Sequence, residues 1–118
     1  MPLPTDKTAR RIALLATLGV AMFIAYATLT PMPHVPGPPG ADKAGHLVAF
    51  ALLTLPLAVV APRHLLWLLP LGIAYGGAIE LIQPHVGRSR ELADFLSDGA
   101  GAVIGSVAGL ALRMFLRR

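Results

Sequence analysis

Four apolar stretches divided by short polar turns constrain this chain more than any other feature. Ile12 to Thr30 runs 19 residues without a charge. A helix needs about 20 apolar residues to cross the hydrocarbon core of a bilayer. Pro31 to Gly40 (PMPHVPGPPG) then stops any helix, because proline lacks the N–H and clashes with the preceding turn. Ala44 to Ala61 is the second stretch, with His46 near its start and Pro56 inside as a kink position. Pro62, Arg63 and His64 form a brief turn before Leu65 to Gln83, which contains Pro70 and Glu80. Pro84 to Ala93 is polar, and Phe95 to Leu116 is the last stretch.

Composition agrees with a bilayer as solvent. Of 118 residues 55% are hydrophobic and 14% charged, against about 25% charged in soluble domains. One small core cannot absorb that much apolar surface. The absence of cysteine rules out a disulfide framework and a thiolate zinc site. A net charge of +4 raises nucleic acid as a partner. The basic residues sit at segment ends instead of along an amphipathic face, so membrane topology explains them and no nucleic-acid partner is expected.

These readings predict an all-α membrane protein: an antiparallel bundle of four transmembrane helices at about 12–30, 44–61, 65–83 and 95–116, after a tail at 1–11. Lys7, Arg10, Arg11, Arg63, Arg113, Arg117 and Arg118 then fall on one side, and Lys43, Arg88 and Arg90 on the other. The excess of positive charge places both termini in the cytoplasm. The first stretch also has features of a signal peptide, with Ala25-Tyr26-Ala27 as a cleavage site, but its apolar run is long for one.

In this topology the polar residues gather at one end, the outer one. Asp42, Lys43 and His46 open the second helix, Glu80 and Gln83 close the third, and Asp94 and Asp98 open the fourth, with Arg88 just before it. Ionisable groups at membrane depth are costly and mark function or specific packing. Asp42 and His46, one turn apart, read either as a carboxylate–imidazole pair able to hold a proton or, for Asp42, as a helix cap. Glu80 points into the bundle with Gly72 and Gly76, and its charge needs a partner among Arg88, Lys43 and His46. Asp94 and Asp98 share a stripe with Gly101, Gly105 and Gly109, which reads as a packing seam. The acids and His46 raise a cation site, but their spacing matches no metal motif, so neither metal nor cofactor is expected.

The pattern Asp42-Lys43-x-x-His46-x-x-x-Phe50, Glu80-x-x-Gln83, Gly87-Arg88, Asp94, Gly101 and Gly105 resembles the VanZ-like family of small bacterial membrane proteins. The similarity spans about Asp42 to Gly105. The family often has Phe where this chain has Leu47, and Asn where it has Asp98, which adds a negative charge. The resemblance implies a multi-pass protein of the bacterial inner membrane. The family's founding member is associated with resistance to the glycopeptide teicoplanin, and no reaction is firmly attached to the family.

Three functions follow as expectations. The outer cluster binds an anionic lipid or envelope-precursor headgroup, with Lys43, Arg88 and Arg90 on phosphate and the carboxylates on hydroxyls. Alternatively the chain is an enzyme on such a lipid, with His46 as acid or base beside Asp42 or Glu80 and Arg88 stabilising the transition state. Thirdly, the cluster is interhelical glue in a structural or partner-binding module. The partners expected are membrane lipids, then an envelope precursor or glycopeptide, with a second copy of the chain as a further option.

Overall fold

A computed structural model describes residues 7–31, 40–87 and 92–116. All regular structure within them is helical. The α-helices are α1 (Lys7–Leu29), α2 (Ala41–Val60), α3 (Leu65–Ile82) and α4 (Leu92–Leu116). Short 3-10 turns at Pro62–His64 and Gln83–Val86 flank α3. Each helix, α3 counted with its 3-10 turns, is long and apolar enough to cross a membrane.

The helices begin earlier than the apolar stretches alone indicate. Lys7, Arg10 and Arg11 lie inside the first turns of α1. Long basic side chains lay their stems along a helix while the charge stays in water, so they do not stop it. α2 starts at Ala41 behind Gly40, whose φ of 80° is a left-handed conformation suited to glycine. Both α2 and α3 continue through their prolines, Pro56 and Pro70. Residues 32–39 and the pair Arg117 and Arg118 lie outside the described residues.

Polarity is inverted relative to a water-soluble protein. Ile12, Leu15, Met22, Leu66, Leu81, Val107 and Phe115 are exposed, while Thr17, Thr54, Glu80, Gln83, Asp94, Asp98 and Ser106 are buried. In water so much contiguous apolar surface would drive association. In lipid it costs nothing, and the helices gain by turning small and polar residues inward.

α2 and α4 share the most extensive contact in the bundle. Glycine makes it possible. A Cβ on Gly101 would lie 2.9 Å from the Leu47 carbonyl carbon, one on Gly105 2.7 Å from the Ala51 Cα, and one on Gly109 2.5 Å from the Ala58 Cβ. Successive contacts advance together along both helices, from Lys43–Asp94 to Arg113, whose Nη1 donates to the Val59 carbonyl at 2.6 Å. Thr54 ties the middle, its hydroxyl donating to the Ala102 carbonyl at 2.9 Å. α1 joins through Thr17, whose hydroxyl donates to the Leu53 carbonyl at 3.0 Å. α3 joins α1 through the Tyr75 hydroxyl on the Ala21 carbonyl and through Gln83 Nε2, which donates to the Thr28 carbonyl at 3.2 Å. Two apolar clusters fill the space between: Leu57, Ala58 and Leu68 with Ala13, then Phe50, Leu53, Ile79 and Ala102 with Ile24.

Candidate functional site

The register of α2 on α4 sets the first turns of both helices side by side, and the last turn of α3 meets them there. Polar residues more than fifty positions apart in sequence therefore share one end of the bundle. They form a ladder of decreasing exposure. The Asp42 side chain is 58% exposed, Lys43 30%, His46 12%, Asp94 9% and Asp98 1%.

Lys43 occupies the mouth. Its Nζ lies 2.6 Å from Asp42 Oδ2 and 3.3 Å from Asp94 Oδ1, bridging an exposed and a buried carboxylate. Behind it, His46 Nδ1 lies 2.7 Å from Asp98 Oδ1, where a ring N–H donates to the carboxylate. His46 Nε2 faces Asp94 Oδ2 at 3.8 Å. Asp98 Oδ2 is buried without a hydrogen-bond partner among the described residues. It faces α3 at Gly76, where an added Cβ would come within 2.9 Å of it. Glu80, one helical turn beyond Gly76, reaches the same place. One donor atom each from His46, Glu80 and Asp98 lie within 4.8 Å of one another.

These positions redraw the pairing expected from spacing. His46 pairs with Asp98 instead of Asp42. The reason is that α2 turns His46 toward α4, whereas Asp42, in the exposed first turn, takes the adjacent Lys43 ammonium. Asp42 makes no side-chain cap, the N-cap position being Gly40. Gln83 belongs to the α1–α3 contact, 1% exposed and bonded to the α1 backbone, so it supports the end of the bundle from the side. Arg88 lies outside the described residues, as does Arg90. Of the glycines, Gly101, Gly105 and Gly109 form the α2–α4 seam and Gly76 makes room for Asp98. Gly72 is buried, yet an added Cβ would meet only Leu53 Cδ2 at an ordinary 3.6 Å.

Chemically the arrangement holds an oriented imidazole beside a buried carboxylate, with a second carboxylate near and a lysine at the entrance. It can hold or move a proton at His46, take up a cation between the acids, or present Lys43 to an anion. Sequence reasoning passed over Thr54, Tyr75 and Arg113, which join the helices. A lone threonine midway along an apolar stretch was the available signal for Thr54.

Comparison with protein-family models, curated proteins and solved structures finds no match for this chain.

Proposed function

We propose that this chain is a VanZ-like multi-pass protein of a bacterial inner membrane, with four antiparallel spans and both termini in the cytoplasm. It binds the headgroup of an anionic lipid or polyprenyl-phosphate envelope precursor at its outer face. The observation that carries the reading is the graded ladder from Lys43 at the mouth to the buried His46–Asp98 pair. Such a ladder suits a headgroup with phosphate and hydroxyls. Lys43, joined by Arg88 and Arg90, takes the phosphate, and the carboxylates accept hydrogen bonds from hydroxyls. Residues that carry the family resemblance, Asp42, Lys43, His46, Glu80 and Asp94, all contribute to this end, together with Asp98, where the chain departs from the family. An apolar groove of about 620 Å³ between α1 and α3, lined by Leu18, Met22, Leu71 and Tyr75 among others, supports a lipid ligand by offering room for an acyl chain. Altered engagement of a lipid-directed glycopeptide such as teicoplanin would follow from occupancy of that site.

The test is native mass spectrometry of the purified protein with a polyprenyl phosphate, phosphatidylglycerol and phosphatidylcholine. Retention of the anionic lipids over phosphatidylcholine supports the reading, and equal retention of all three contradicts it. The 2.7 Å His46–Asp98 contact favours a second reading, in which the imidazole serves as acid or base on the bound lipid phosphate. Release of inorganic phosphate from the labelled polyprenyl phosphate separates an enzyme from a binding protein.

A further inference from the structure

The three donors contributed by α2, α3 and α4 have a chemistry of their own, independent of any lipid. We propose that His46, Glu80 and Asp98 form a binding site for a first-row divalent cation, of the zinc or manganese class. One imidazole nitrogen and two carboxylate oxygens suit these ions, whereas magnesium and calcium prefer oxygen alone.

Three observations point to this site. The donor atoms lie within 4.8 Å of one another, though they come from helices far apart in sequence. Bonds to zinc of about 2.1 Å place neighbouring ligand atoms about 3.0 to 3.4 Å apart, so the wider separations in the cluster contract by side-chain movement when an ion binds. His46 Nδ1 and Asp98 Oδ1, hydrogen-bonded at 2.7 Å, give up the shared proton and move slightly apart to admit an ion. The second observation is Asp98 itself. Its side chain is 1% exposed and its Oδ2, turned toward the α3 face that carries Glu80, has no hydrogen-bond partner among the described residues. A carboxylate oxygen at such depth is costly unless a cation or donor satisfies it. The third is the kind of donor. The acids and the imidazole supply the donor types that a first-row divalent ion takes. Asp94, 3.8 Å from His46 Nε2 and 9% exposed, stands close enough to tune or complete the set. Gly76 belongs to the design, since a side chain there would meet Asp98 Oδ2.

The site and the headgroup reading stand or fall separately, because ion uptake requires no lipid and lipid retention requires no ion. The experiment strips the detergent-purified full chain with a chelator, removes the chelator, and measures zinc and manganese by equilibrium dialysis and elemental analysis. The expected result is one equivalent of one of these ions per chain, with a rise in melting temperature on loading. His46→Ala, Glu80→Gln and Asp98→Asn each weaken uptake at least about ten-fold. Ser97→Ala, whose hydroxyl bonds only its own helix at Ala93, keeps full uptake. The wild-type stoichiometry stands even where a variant fails to fold. Less than a tenth of an equivalent on wild-type protein, or equal uptake by wild type and the folded ligand variants, overturns the site.

Discussion

Adding one methyl group at Gly105 separates a true helix seam from a stripe of small residues. The Cβ of a Gly105→Ala chain would meet the Ala51 carbonyl oxygen and the Thr54 hydroxyl, and would lie 2.7 Å from the Ala51 Cα. These neighbours include rigid backbone, so α2 and α4 must move apart. Overpacking of this kind costs about 1–3 kcal/mol. Separation also stretches the Thr54–Ala102 hydrogen bond, now 2.9 Å, and such interhelical bonds are worth about 0.6 kcal/mol in membranes. Against this, alanine is favoured over glycine within a helix by about 1 kcal/mol. The net loss is about 2 kcal/mol, with the overpacking taken near its upper end because two of the three atoms met are backbone. Gly72→Ala provides the contrast. Its Cβ meets only Leu53 Cδ2 at 3.6 Å, so the helix-propensity gain survives and stability holds or rises by up to about 1 kcal/mol. The assay is reversible unfolding in mixed micelles by SDS titration, followed by helicity and by the fluorescence of Trp67, the single tryptophan. The reasoning is refuted if Gly105→Ala matches wild type, or if Gly72→Ala loses as much as Gly105→Ala.

The remaining predictions concern topology and the ties between helices. The chain has no cysteine, so single Ala41→Cys, His85→Cys and Arg63→Cys substitutions report sidedness with an impermeant maleimide on spheroplasts. The first two label in intact spheroplasts and the third only after lysis; the opposite pattern would reverse the proposed orientation. Thr54→Val keeps the shape of a fully buried side chain and removes its bond to Ala102, lowering stability by about 0.6–1.7 kcal/mol in the same unfolding assay. Arg113→Met removes the donor to the last carbonyls of α2, Val59 at 2.6 Å and Val60 at 3.1 Å. It lowers stability by about 1–2 kcal/mol, and an unchanged unfolding midpoint would show that this contact carries no weight.

The four long apolar helices were legible because segments such as Ile12 to Thr30 and Phe95 to Leu116 have the length and composition that crossing a bilayer demands. Helix starts were less legible, since Lys7, Arg10, Asp42 and Asp94 look like loop residues by polarity but fit a first turn at the water boundary. The candidate site was legible as a set and not as pairs. Topology alone brings the ends of α2, α3 and α4 together, so Lys43, His46, Glu80, Asp94 and Asp98 meet wherever alternate spans run alike. Which acid takes His46 depends on the rotation of each helix about its axis. That rotation is set by Gly101 and Gly105 seating against Leu47 and Ala51, a contact between two helices that neither sequence segment specifies alone. The same packing brings Glu80 to His46 and Asp98, a donor set that the sequence raised as a cation site but that spacing along the chain matched to no metal motif.

The central claim is that the polar end of the bundle is a binding site, not glue. Its most direct test sets polyprenyl-phosphate retention beside melting temperature for Lys43→Gln, a change at the mouth of the ladder that also removes an ion pair to Asp94 of α4. The account predicts a chain that still melts cooperatively, at a lowered temperature because Asp94 loses its cation, with retention measured on the folded protein reduced at least about ten-fold, the loss of one charge-assisted contact of about 1.5–3 kcal/mol. Retention equal to wild type, or a collapse in melting temperature that accounts for all the lost binding, would contradict it.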